Sequence, residues 1–230
     1  NKISKDALVS FFKYNYIPAP ASIYENVYKL QPGHIIQFNL EIGINKIEKQ
    51  EPYWSYSKVL ELAKEKQFIS SDEAHQSLEQ NLENSVRSQA ISDVPLGAFL
   101  SGGVDSSVIV ALMQKNSMTP TKTFTIGFKE DDYNEAPYAL AVANHLKTDH
   151  QEMILDESDA MDAILRMPEI YDEPFADSSQ IPTYLVSKMT KEHVTVALSG
   201  DGADELLGGY NRYTHTPSIW SMMRLMPFSL

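Results

Sequence analysis

Leu96-Gly97-Ala98-Phe99-Leu100-Ser101-Gly102-Gly103-Val104-Asp105-Ser106-Ser107 is the stretch on which the fold turns. Leu96 to Leu100 is an apolar run of strand length, and Ser107 to Gln114 has helical character, so a strand enters a helix through a glycine-rich turn. Glycines there let the backbone approach a ligand closely, and the amides of the turn and the helix N-terminus converge on an anion. The geometry is that of a phosphate site. It is not a Walker loop, because no Gly-Lys-Ser/Thr follows, and not a nucleophile elbow, because Ser101 lacks the Gly-x-Ser-x-Gly setting. A plain glycine-rich turn is the alternative, and Asp105 argues against it. A carboxylate would repel a bare phosphate but fits where Mg²⁺ bridges carboxylate and phosphate oxygens.

Val194 to Leu198 leads into a second loop of the same kind, Ser199-Gly200-Asp201-Gly202-Ala203-Asp204-Glu205, followed by Gly208-Gly209-Tyr210. Two such loops can face one ligand. Asp204 could supply a second metal contact, and Asp201, nearer the strand, could act on the reacting group. Alternatively, Asp204 and Glu205 are favourable charges in a helix's first turn. The oxygen spacing of a calcium-binding EF-hand is absent.

Working outward, Thr123 to Phe128 reads as a strand, Glu135 to Leu146 as a helix, His150 to Leu155 as a strand, and Ser158 to Met167 and Ile181 to Lys191 as helices. Apolar strands alternating with helices predict an α/β fold, a parallel sheet with helices on both faces, binding its ligand beyond the carboxyl ends of the strands. Upstream, Ser70 and Glu73 have capping-box spacing, and Ala74, Leu78, Leu82, Val86 and Ala90 recur every four residues, predicting a helix of about five turns. The first fifty residues carry β-type alternation, with strands expected at His34 to Leu40 and Ile42 to Ile47, ended by Pro52-Tyr53-Trp54. The charged segment Glu61 to Lys66 reads as a linker.

Composition narrows the function classes. The chain has 230 residues, 43% of them hydrophobic, and a formal net charge of -12, with no clustering of Lys and Arg. That balance argues against nucleic acid as a partner. The absence of cysteine removes disulfides, thiolate zinc sites and thiol nucleophiles together, and suits a reducing, cytoplasmic compartment. No apolar run approaches the roughly 18 residues of a membrane span. The start at Asn1 and the end at Leu230, inside an apolar stretch, read as the ends of a piece of a longer chain. The six histidines are dispersed and read as surface or satisfied polar groups rather than zinc ligands. Tyr210 and Tyr213 beside Arg212 could stack on a nucleotide or simply pack. Met222, Met223 and Met226 have the spacing of a core helix.

Three motifs in order resemble the asparagine synthase family of ATP pyrophosphatases: Ser101 to Ser107, the strand Thr123-Phe124-Thr125-Ile126-Gly127-Phe128, and the loop Leu198 to Tyr210. Ile17-Pro18-Ala19-Pro20 through Leu30-Gln31-Pro32-Gly33-His34 resembles the closing part of the family's glutaminase domain, and Tyr53-Trp54 the junction. The resemblance implies residues 1–55 as the β-rich remnant of an N-terminal nucleophile glutaminase and 56–230 as the first part of a truncated, adenine nucleotide α-hydrolase-like synthetase domain.

It also implies that Leu100, Ile126, Ser199 and Gly200 contact the adenosine of ATP, that Ser101, Gly102, Gly103 and Ser106 cradle its pyrophosphate, and that Asp105 and Asp204 hold Mg²⁺. Asp201 falls where the family often has a Glu proposed to assist proton transfer from ammonia. Asp172 to Ser179 resembles a stretch lining the acceptor side, or else is a polar loop capping the next helix. The implied reaction adenylates a carboxylate, aspartate by default, and transfers ammonia to it with release of AMP and pyrophosphate. The ammonia would derive from glutamine through a glutaminase domain whose Cys this chain lacks. Alternatives are an amidotransferase acting on a sugar acid in surface polysaccharide synthesis, an NAD, GMP or β-lactam synthetase, and a non-enzymatic nucleotide-binding module. A homodimer is compatible with all of them.

Overall fold

A computed structural model of the chain describes residues 2–39, 47–129 and 134–224. The chain folds as two compact units, Asn1–Ser77 with Ala160–Ile181, and Leu78–Asp159 with Pro182–Leu230. These bounds do not coincide with the division at 55/56 expected from the sequence.

The first unit opens with helix α1 (Lys5–Tyr14), which β-type alternation did not anticipate. Its signals are local: the Ser4 hydroxyl accepts the Ala7 amide at the N-terminus, and Asn15, left-handed at φ 65°, donates its amide to the Phe11 carbonyl at the other end. Ala7, Ile17 and Ile23 form a small core with Phe11 and Tyr24. Strands β1 (His34–Phe38) and β2 (Ile47–Pro52) pair antiparallel, His34 opposite Pro52.

The second strand shares Ile47 with the expected 42–47, whose residues 42–46 fall outside the described residues. Residues Glu61 to Lys66 are not a linker. Glu61 to Glu65 belong to helix α2 (Tyr56–Glu65), which buries no side chain.

Helix α3 (Ser71–Gln89) follows its predicted cap: the Ser70 hydroxyl accepts the Glu73 amide at 3.2 Å, and the Glu73 carboxylate reaches back to the Ile69 amide at 2.8 Å. Val86 is the buried residue of the predicted stripe and Leu82 is half-buried.

The second unit is built on a four-stranded sheet. Its strands are β3 (Leu96–Phe99), β4 (Lys122–Phe128), β5 (Asp149–Leu155) and β6 (Val196–Leu198), ordered β5-β4-β3-β6 with every pair parallel. The helices between the strands are α4 (Val104–Lys115), α5 (Ala136–Leu146), α6 (Glu157–Ile170), most of which belongs to the first unit, and α7 (Gln180–Thr190), and α8 (Ala203–Leu207) and α9 (Asn211–Met223) follow β6.

Strand alternation sends β3 side chains to two cores. Ala98 and Leu100 pack with Val86, Val110, Met113, Ala139 and Ala143 from α3, α4 and α5. Phe99 faces the other way, toward Phe124, Val186, Met189 and Val194. Helices therefore cover both faces, and an α/β parallel sheet is the observed class. Phe124, Leu100 and Val110 are at most 1% exposed, and each contributes roughly 1.5–3 kcal/mol by its burial. Met222 and Met223 lie on α9 and are more than half exposed, not in a core, and Met226 lies outside the described residues.

From β3 the chain moves outward through β4 to β5, then returns to place β6 on the opposite side of β3. The reversal opens a crevice beyond the carboxyl ends of β3 and β6, where a ligand reaches backbone from two loops.

Candidate functional site

The loop after β3 is shaped by its own serines. Ser101 and Ser106 hydroxyls lie 2.9 Å apart, the Ser106 hydroxyl accepts the Ser101 amide at 3.2 Å, and the Ser101 hydroxyl accepts the Gly103 amide at 3.3 Å. Ser106 is buried, and Ser107 donates its hydroxyl to the Gly103 carbonyl at 2.6 Å. These bonds fold the turn over the start of α4. Gly103 occupies the N-cap position without a side chain to satisfy the first-turn amides, which leaves them to an incoming anion. Gly102 is left-handed at φ 83°, and a Cβ there would stand 2.6 Å from the Ala139 amide nitrogen of α5. Only glycine fits both the conformation and the approach.

The loop after β6 meets the first one directly. A Cβ at Gly200 would fall 2.7 Å from the Ser106 amide nitrogen and 2.9 Å from the Asp105 carbonyl carbon, so backbone lies on backbone. Beside it the Ser199 hydroxyl donates to the Asp201 carboxylate at 3.1 Å and accepts the Asp201 amide at 3.3 Å, which fixes the carboxylate at the loop's entrance. Gly202, left-handed at φ 90°, turns the chain into α8, and Asp204 and Glu205 sit in that helix's first turn.

The convergence makes a cleft of about 250 Å³ whose lining includes Ser101, Asp105, Ser106, Ser199, Gly200, Asp201, Asp204 and Glu205, with Tyr210 on its wall. An adjoining hollow of about 150 Å³ is lined by Leu100, Ile126, Phe124, Glu135 and Pro182 and shares Phe99, Ser101, Thr183 and Val186 with the first. Every candidate residue except Gly102 and Gly103 thus lines one of two joined spaces, and those two glycines form the turn between Ser101 and α4. Leu100 is 1% exposed, so it can offer a ligand little beyond its backbone. Its amide donates to the Phe124 carbonyl, and its carbonyl accepts the buried Thr125 hydroxyl.

Thr183 and Val186 of α7, with Phe99, escaped sequence reasoning. No motif marks them, and only the packing of α7 against Phe124 brings them to the rim. Glu205 and Tyr210 form a pair, the phenol donating to the carboxylate at 3.0 Å, and that bond holds the tyrosine's pKa above its ordinary value.

Among the described residues no three His, Asp or Glu side chains group as a protein-only metal site. Asp105 and Asp204 in one cleft are instead the two carboxylates that suffice for Mg²⁺ arriving with phosphate oxygens, since that ion keeps waters and shares substrate ligands. The donor set fits the ion.

The acidic stretch 172–179 belongs to the first unit, and two of its carboxylates, Glu173 and Asp177, have partners. Glu173 pairs with Lys29 and accepts the Ile23 amide at 3.1 Å. Asp177 accepts both the amide and the hydroxyl of Ser179 just before α7, bonds that lower its pKa. Of the histidines, His150 bonds Thr123 through Nδ1 at 2.9 Å, and His193 stacks on Phe124.

The family model described as asparagine synthase matches residues 77–230. A Methanocaldococcus jannaschii protein named putative asparagine synthetase (glutamine-hydrolyzing) 2 is 39% identical over 209 residues, covering 90% of this chain and 39% of that protein. Asparagine synthetase (glutamine-hydrolyzing) 1 of Bacillus subtilis is 33% identical over 224 residues, covering 97% of this chain and 34% of its own length. The chain therefore spans little more than a third of the relatives it matches. Among solved structures, an ammonia-dependent NAD synthetase from Campylobacter jejuni aligns over 59% of this chain and 60% of its own at 14% identity, with a TM-score of 0.41. No helix among the described residues is long and apolar enough to cross a membrane. Family match, identity and the pair of Ser-Gly loops together place the chain: it belongs to the asparagine synthase family.

Proposed function

We propose that this chain carries the ATP-binding machinery of a ligase that adenylates a carboxylate and transfers ammonia to the acyl group, releasing AMP and pyrophosphate. The observation that supports this most is the backbone contact of Gly200 on Ser106, which puts two carboxylate-bearing loops around one cleft. In this reading the adenosine lies along Leu100, Ile126, Ser199 and Gly200. The turn Ser101-Gly102-Gly103 and Ser106 cradle the pyrophosphate. Asp105 and Asp204 hold Mg²⁺, which when bound neutralises charge on the phosphates.

The acceptor's carboxylate oxygen attacks the α-phosphorus of ATP, and the bond to the β-phosphate oxygen breaks. First-turn amides of α4 and the Ser101 and Ser106 hydroxyls take up the charge of the departing pyrophosphate. Ammonia then attacks the acyl carbon, and AMP leaves. Asp201, aimed by Ser199, accepts the proton that ammonia sheds.

Aspartate is the acceptor first proposed, on the names of the relatives. Ammonia would come from glutamine through a glutaminase domain, of which residues 1–55 are the proposed remnant, in a protein working in the cytoplasm. The test is the full-length protein with ATP, Mg²⁺, ammonium and a panel of carboxylates, resolving AMP from ADP. AMP and amide that depend on one acid and vanish in Asp105→Ala support the proposal, whereas ADP, or no acid-dependent turnover by folded protein, overturns it.

A further inference from the structure

The cleft is short of positive charge. Its lining includes Asp105, Asp201, Asp204 and Glu205, and no Lys, Arg or His among the described residues. A nucleotide polyphosphate brought there carries further negative charge than one divalent ion cancels, so a protein cation within reach would contribute directly. Arg212 is that cation. Its guanidinium carbon stands 4.2 Å from the ring centroid of Tyr210, itself part of the cleft wall, and 5.5 Å from that of Tyr213.

A surface arginine seven residues after Glu205 and eight after Asp204 could pair with one of them. Here the Glu205 carboxylate is taken by the Tyr210 hydroxyl, and Arg212 forms no ion pair among the described residues. A cation held over ring faces spends none of its N–H donors, and the two tyrosines, whose centroids lie 5.8 Å apart, restrict a side chain that would otherwise sweep freely. The outcome is a guanidinium fork stacked on a ring that lines an acidic cleft, and such a fork is suited to bidentate recognition of phosphate.

We infer that Arg212, held by Tyr210 and Tyr213, is the residue that binds the terminal phosphates of the nucleotide and offsets the four carboxylates of the cleft. This assignment rests on the nucleotide reading given above. Because the β- and γ-phosphates are absent from AMP, Arg212 discriminates ATP from AMP and favours release of AMP once pyrophosphate has left.

Equilibrium titration of the full-length protein with ATP plus Mg²⁺, and separately with AMP, tests it on wild type, Arg212→Ala and Arg212→Lys, with thermal melts to verify folding. The expected result is that Arg212→Ala weakens ATP about tenfold or more while AMP binding is unchanged, and Arg212→Lys, which keeps the charge but loses the fork, lies between. Equal loss for both nucleotides, or no loss for ATP, overturns the assignment while leaving the nucleotide reading intact. Wild type that binds neither nucleotide overturns both.

Discussion

Gly200, in the loop after β6, lies so close to the first turn of α4 that a Cβ built on it would stand 2.7 Å from the amide nitrogen of Ser106. The amide so approached belongs to the turn that would hold pyrophosphate, so the second loop braces the first. Gly200→Ala must push backbone against backbone. We expect it to fold with a loss of about 1–3 kcal/mol in stability and to weaken ATP binding, read by denaturant unfolding and by titration. A variant with unchanged ATP affinity would mean that the loops act independently.

Asp105 and Asp204 line one cleft from different loops. If they share an ion with the phosphates, Asp105→Asn and Asp204→Asn each weaken ATP binding in the presence of Mg²⁺ and leave binding without Mg²⁺ intact or improved, since a carboxylate facing phosphate is lost. Titrations with and without the ion distinguish this from a general loss of fold. The double variant should lose little beyond the worse single, because two residues on one ion do not act additively.

His150 is half-buried on β5, bonded to Thr123 through Nδ1, with Nε2 buried and unpartnered. Burial lowers its pKa below the ordinary histidine value. The neutral ring is therefore what the folded state accommodates, and the unfolded chain binds the proton more readily. This contribution to stability is present above about pH 6.5, the unfolded value, and is lost as pH falls toward the lower folded value. The melting temperature should decline over that window in wild type and decline less in His150→Gln.

Lys29 ties three parts of the first unit, contacting the Ile17 carbonyl and the Glu173 carboxylate, while Glu173 also accepts the Ile23 amide. Both side chains are partly shielded, at 36% and 22% exposure, so Lys29→Met should cost roughly 1 kcal/mol, with Glu173→Gln costing less because the amide bond can persist. Chemical denaturation checks the order. Equal stability of all three proteins would mean the pair contributes nothing.

Much of the second unit was readable because its signals were strong and local. The apolar run to Leu100, the serine–glycine turn and Asp105 specify strand, loop and helix within a dozen residues, and the same holds at Ser199 to Glu205. The Ser70–Glu73 cap announced α3 for the same reason. The N-terminal region was less legible. Helix α1 is capped by Ser4 and Asn15 at its ends, α2 buries nothing, and both lie in a region where the β-type alternation of the first fifty residues and the charges of Glu61 to Lys66 drew the reading away from helix. At the site, Thr183 and Val186 reach the cleft through the packing of α7, a long-range fact that no local pattern carries. The pairing of Arg212 with Tyr210 and Tyr213 lies within one turn of sequence, but its meaning depends on Tyr210 facing the acidic cleft.

The most direct test of the central claim is ATP–pyrophosphate exchange, measured on the full-length protein with Mg²⁺ and each candidate acid in the absence of any ammonia source. Reversible adenylation predicts that labelled pyrophosphate enters ATP only when the cognate acid is present, and that Asp105→Asn abolishes the exchange. A protein that binds ATP yet exchanges no pyrophosphate with any acid, or that releases ADP instead of AMP when ammonium is added, would contradict the account.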